Sequence, residues 1–222
     1  MSDGLGGLLI VFPVLLVSIV LHEYAHARVA VSQGDPTPAR MGRVTLNPLV
    51  HIDPVGSLLV PAALWIMSAG FLFGWARPVA VVPDNYRNYK RGDILVSLAG
   101  VTANFLLAVL SLVVIVGLTH LERNLEGSVA GIVDNLIWAA RTGLWFNILL
   151  GVFNLMPIPP LDGSHVLYHL LPPALGARYR EVARYGMLVL FALLFIPGLL
   201  SVLLWPVGAL TGLAFDVIAW LT

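Results

Sequence analysis

The chain has 222 residues, 59% of them hydrophobic and only 11% charged, with a mean hydropathy of +0.90. A soluble domain of this length carries about a quarter charged residues, so a water-soluble globule is excluded and an integral membrane protein is expected. The 12 basic and 12 acidic residues cancel, no basic run marks a nucleic-acid surface, and the lack of cysteine removes disulfides and thiolate ligands, leaving His, Asp and Glu for any metal.

Residues 5–20 contain no charge and the apolar character continues to Val31, long enough to cross a bilayer as a helix. The preceding Met1-Ser2-Asp3-Gly4 has no basic region, so the segment is expected to be a mature span rather than a cleaved signal. Near its end stands His22-Glu23-Tyr24-Ala25-His26, an HExxH. At about 3.6 residues per turn the two histidines stack on one helical face, where both imidazoles can reach one tetrahedral metal ion. Glu23 lies one position round, placed to take a proton from water beside that metal. Ionisable groups in an apolar span are costly unless they serve a ligand or a cavity, so the cluster reads as functional.

Gly34-Asp35-Pro36 stops this helix, and Ala39 to Leu46 reads as strand material forming a small β-hairpin on the cytosolic side. Breaks at Asn47-Pro48 and Asp53-Pro54 enclose His51, read either as a plain loop histidine or as one at a water entrance that can visit the metal. The apolar stretch Val55 to Gly74 contains Pro61 and Gly70. It is flanked by Arg28, Arg40 and Arg43 on one side and by Arg77, Arg87, Lys90 and Arg91 on the other. Basic flanks favour the cytosol, so a re-entrant segment is expected in preference to a full crossing. Spans from Ile94 to about Leu118 and from about Leu136 to Met156 follow, joined by an outer loop without basic excess. That parity returns Asp162 to the membrane side of His22 and His26. The C-terminal helices, about 178–222, comprise a span from about Tyr185 to Leu204 and a last apolar helix to Thr222. The expected fold is an all-α polytopic membrane protein, one domain over 1–222, with a three-helix core at about 5–165.

Two histidines leave a zinc site short of a protein ligand. Asp162 follows a proline-rich break and precedes Gly163; from the residues alone it reads equally as a ligand or as the cap of a helix beginning near Ser164. The HExxH in one apolar helix and Asn-x-x-Pro-x-Pro-x-Leu-Asp-Gly at Asn154 to Gly163 in a later one resemble, in order and separation, the site-2 protease family of intramembrane zinc metalloproteases. The resemblance covers about residues 5–165.

It implies one Zn2+ per chain held by His22, His26 and Asp162, with Glu23 as general base, at a site within the cell membrane that water reaches from the cytosol. It also implies a lipid-embedded protein whose substrate is the transmembrane segment of another protein, cut after local unwinding. Gly100 and Asn104 match the family's Gly-Pro-x-x-Asn element, with Val101 in place of the proline. Asn104 is read as orienting substrate or donating to an oxyanion, or as a plain interhelical hydrogen bond. Asn154, Pro157 and Pro159 are expected to shape the break and offer backbone to an extended substrate. His165 is read either as a plain helix histidine or as one that can hydrogen-bond the Asp162 carboxylate, and His120 and His169 are expected to be interfacial and structural. No stretch is long and polar enough for a PDZ or CBS domain, as in compact members of that family. Two rival classes use the same ligands: a metal transporter, and an inactive homologue that holds membrane clients. The intact Glu23 weighs against the second, and the scarcity of other ionisable groups at membrane depth against the first.

Overall fold

A computed structural model describes residues 5–67, 74–123, 125–196 and 198–222. The first helix, α1 (Leu5–Gln33), carries the HExxH in its last third and ends where Asp35 N–H reaches the Ala30 carbonyl and Gly34 N–H the Val31 carbonyl. Asp35 then ties this end to later chain. Its carboxylate accepts from the Thr37 backbone and hydroxyl, at 3.0 and 2.6 Å, and from Val82 N–H at 2.7 Å and the Asn85 amide at 2.9 Å.

The expected β-hairpin at Ala39 to Leu46 is absent: no strand occurs among the described residues. Instead α2 (Thr37–Arg40) begins at a proline pair and stops before Gly42 at φ +66°, while the Arg43 guanidinium reaches the Val50 carbonyl. These contacts occupy the loop within itself, so it meets no partner strand, and a lone strand leaves its backbone groups unpaired.

The expected re-entrant stretch runs as a π-helical turn, Pro54–Leu59, capped by Asp53, and then α3 (Val60–Ile66). At about 1.5 Å per residue Pro54–Ile66 is roughly 20 Å long, short of the about 30 Å hydrocarbon thickness. The end of the stretch, 68–73, lies outside the described residues. Beyond it the chain is back where it left: Trp75 N–H donates to the Gly56 carbonyl at 3.1 Å, Ser57 Oγ to the Trp75 carbonyl at 2.7 Å, and Arg77 N–H to the His51 carbonyl at 2.9 Å.

Two long helices follow, α4 (Tyr89–Glu122), capped by Asn88, and α5 (Ser128–Leu155). The second starts earlier than expected, at Gly127 with φ +66°, so Asp134 belongs to the helix and not to the outer loop. The rest is α6 (Asp162–Leu170), α7 (Pro173–Ala183), α8 (Gly186–Phe195), α9 (Leu199–Leu203) and α10 (Trp205–Leu221). The span expected from Tyr185 to Leu204 is thus two helices, separated at Gly198 with φ +78°.

Among the described residues three helices, α1, α4 and α5, are long and apolar enough to cross a membrane. Ala108, Ile115, Ile137, Leu144 and Ile148 pack between α4 and α5, and Val207 and Ile218 of α10 close over them. Leu106, Val109, Leu110 and Val113 of α4 are more than half exposed. An apolar face of that extent is stable against lipid and unstable against water.

Candidate metal centre

His22 and His26 both turn into the seam between α1 and α4 and are about nine-tenths buried. Their Nε2 atoms lie 3.0 Å apart, and Asp162 Oδ2 is 3.4 Å from the first and 3.3 Å from the second. A tetrahedral zinc with bonds of about 2.0–2.1 Å has ligands about 3.3 Å from one another. The three atoms therefore already span one face of such a tetrahedron. Among the described residues this is the group of His, Asp and Glu side chains close enough to share an ion. Asp162 Oδ2 is buried without a hydrogen-bond donor, as a carboxylate oxygen reserved for a cation would be.

Local chemistry explains how each of the three side chains arrives. The helical repeat aligns the histidines. Asp162 depends on the break after α5, where hydrogen bonds from Ile158 N–H to the Met156 carbonyl and from Leu161 N–H to the Ile158 carbonyl fold the proline-rich segment back. Asp162 then lies in the first turn of α6 and its side chain caps nothing, so the cap reading does not hold. A side chain at 163 would collide with the Leu155 carbonyl, with its Cβ at 2.1 Å, so only glycine lets the two helix ends approach this closely.

One face of α4 organises the rest. Asp93, Val96, Gly100 and Asn104 succeed one another at helical spacing of three or four residues. The Val96 carbonyl lies 2.7 Å from His26 Nδ1 and the Asn104 amide oxygen 2.6 Å from His22 Nδ1, so both rings present Nε2 inward. Gly100 forms the floor, where a Cβ would stand 2.4 Å from His26 Nε2 and 2.5 Å from His22 Cε1. Asp93 Oδ2 lies 2.8 Å from His169 Nε2 and 3.3 Å from His165 Nδ1, fastening α6 to α4.

Glu23 is half-buried and its Oε2 accepts a hydrogen bond from Val79 N–H at 2.9 Å, which brings the extended segment after Trp75 against the centre. His51 does not join the metal group. Buried to 1% exposure, its Nε2 lies 2.9 Å from the Thr45 carbonyl and holds its own loop. His165 pairs with Asp93 and not with Asp162, and His169 is buried against the same Asp93 carboxylate. Asn104 is engaged across helices, its amide nitrogen donating to Asn147 Oδ1 at 2.8 Å. Asn154 donates to the Leu150 carbonyl within α5, the Pro157 carbonyl accepts from the Tyr179 hydroxyl, and Pro159 packs on Gly186 at the start of α8.

Four contributors escaped the sequence: the Val96 carbonyl, Val79 N–H, Asp93 and Asn147. Asn147 was the most findable, as an amide inside an apolar span; backbone groups leave no signature in a side-chain pattern.

The profile of peptidase family M50 matches residues 123–197, which include Asp162. Relatives match over most of the chain. A provisionally named zinc metalloprotease of Bacillus subtilis, YwhC, is 37% identical over 194 residues, covering 86% of this chain and 82% of the relative. A provisionally named zinc metalloprotease of Mycobacterium tuberculosis, Rip2, is 32% identical over 207 residues, 93% of this chain and 70% of the relative. Rip2 of Mycolicibacterium smegmatis is 34% identical over 83% of this chain and 66% of its own length. No solved structure matches the chain.

Proposed function

The chain belongs to peptidase family M50, a zinc metalloprotease with membrane-spanning helices, and from there we propose that it is an intramembrane endopeptidase of the site-2 type. It cuts a peptide bond within or near the transmembrane segment of another membrane protein. The observation that carries this reading is the convergence of His22, His26 and Asp162, from two helices far apart in sequence, at 3.0–3.4 Å with Glu23 beside them.

In this reading those three residues hold one zinc ion, which when bound supplies a Lewis acid for the scissile carbonyl and for water. Glu23 takes a proton from the attacking water as its oxygen bonds to the carbonyl carbon. It returns that proton to the leaving amine as the C–N bond breaks. The Val79 N–H engages one Glu23 oxygen and steadies the carboxylate while the other works. A substrate helix must unwind first, because its backbone groups are otherwise paired within the helix. The basic residues flanking 54–75 support placement in the cell membrane with the centre opening to the cytosol. The short, returning Pro54–Ile66 supports a re-entrant element there.

The test pairs metal analysis with cleavage. Purified wild type is expected to hold about one zinc per chain, and Asp162→Ala to lose most of it. Glu23→Gln is expected to keep the metal and lose roughly 10²–10⁴ in the rate of cutting a reconstituted single-pass substrate. A Glu23→Gln variant cutting at the wild-type rate would sink the mechanism. Cleavage confined to a soluble flank would sink the intramembrane assignment.

A further inference from the structure

Resting on the zinc-protease reading, we infer that Asn147, with Asn104 and Ser18, is a positioning relay that fixes which nitrogen of His22 carries the proton. The three side chains come from α5, α4 and α1 and are 3%, 0% and 1% exposed. Polar groups buried in apolar helices are costly unless fully hydrogen-bonded, and these are bonded to one another.

The bonds run in one direction. Ser18 Oγ donates to the Val14 carbonyl at 2.9 Å, which leaves its lone pairs to accept from Asn147 Nδ2 at 2.9 Å. The same Asn147 nitrogen donates to the Gly143 carbonyl at 2.9 Å. A carbonyl only accepts, so the amino group of Asn147 must face Gly143 and its Oδ1 must face Asn104. There it accepts from Asn104 Nδ2 at 2.8 Å, and that nitrogen is also 3.4 Å from the Ser18 carbonyl. Two backbone carbonyls thus pin both amides. Asn104 Oδ1 is left facing His22 Nδ1 at 2.6 Å, where only a donor completes the bond.

A neutral imidazole can carry its proton on either nitrogen. Here His22 carries it on Nδ1, and the Nε2 lone pair is directed at His26 Nε2 and Asp162 Oδ2. His26 reaches the same state by a shorter route, through the Val96 carbonyl. Asn147 touches no metal ligand and acts through Asn104.

The test uses the full chain in detergent micelles, isotope-labelled at the histidine ring nitrogens and stripped of metal, so that nuclear magnetic resonance shifts report the His22 tautomer directly. Wild type is expected to carry the proton on Nδ1. Asn104→Leu, which removes the acceptor, is expected to move proton population to Nε2 and to weaken zinc roughly 10- to 100-fold in chelator competition. Asn104→Asp restores an acceptor at that atom and is expected to keep Nδ1–H and most of the zinc affinity. Asn147→Leu is expected to fall between the two.

A wild-type His22 protonated on Nε2 overturns the inference whatever the variants do. So does a folded Asn104→Leu with unchanged tautomer and zinc affinity. If Asn104→Leu does not fold, the wild-type and Asn104→Asp spectra decide. Wild type that shows Nδ1–H but binds no zinc removes the protease reading and leaves the relay standing.

Discussion

Every residue other than glycine brings at least a Cβ to position 100, and the structure has no room for it. The Cβ of an alanine there would sit 2.4 Å from His26 Nε2 and 2.5 Å from His22 Cε1, well inside van der Waals contact. Neither ring can retreat, because each is held from behind, by Val96 and by Asn104. Gly100→Ala is therefore expected to lower zinc affinity at least about tenfold while leaving helix content unchanged, since alanine is the better helix former. Metal analysis with circular dichroism on the purified variant decides the matter; wild-type zinc binding would show that α4 does not floor the centre. The Gly100 and Asn104 match to the Gly-Pro-x-x-Asn element acquires a physical meaning here. The glycine makes space for the two rings and the asparagine hydrogen-bonds His22 Nδ1, while Val101 in place of the proline leaves α4 unbroken.

Among the elements, α4 is the template and α6 is what it must hold. Asp93 anchors α6 through His165 and His169, only a few residues from Asp162, so the Asp162 carboxylate is positioned by contacts made one and two turns further along its own helix. The α1 end is held differently. Burial alone would raise the pKa of Asp35, but hydrogen bonds from Thr37, Val82 and Asn85 outweigh it and keep the carboxyl below the usual aspartate range. A depressed pKa contributes stability that is present above the unfolded value of about 3.9 and is lost as pH falls through the folded one. Asp35→Asn is accordingly expected to melt at a lower temperature than wild type near neutral pH, with the difference closing below about pH 4. Thermal unfolding followed across that range checks this; a gap that persists in acid would mean the charge of Asp35 contributes nothing.

For the molecule as a whole, the membrane is the missing solvent. The exposed apolar face of α4 and the three long helices are coherent only in lipid. Because the chain has no cysteine, single substitutions can map its orientation. Arg40→Cys and Arg87→Cys, both at exposed positions on the basic side, are expected to resist an impermeant thiol reagent in intact cells, whereas Glu126→Cys, exposed between α4 and α5, is expected to react. The opposite pattern would invert the topology and with it the side from which water enters. Much of this architecture was legible from residues alone. Hydropathy and helical periodicity are short-range properties, so three spans, the stacking of His22 and His26, and the flanking of Glu23 follow from local sequence. Asp162 could be nominated but not distinguished from a helix cap, because its role rests on atoms of another helix. The β-hairpin misread had the same origin: residues 39–46 have strand-like composition, but a strand exists only if a second segment pairs with it, and the Arg43 and Pro38 contacts draw the loop inward instead. His165 likewise lies near Asp162 in sequence yet bonds Asp93, and Asn147 joins the site from an otherwise apolar helix. Which residues share one face of a helix is local information, fixed by the helical repeat; which faces meet, and whether His22, His26 and Asp162 converge, is set by packing between helices far apart in sequence.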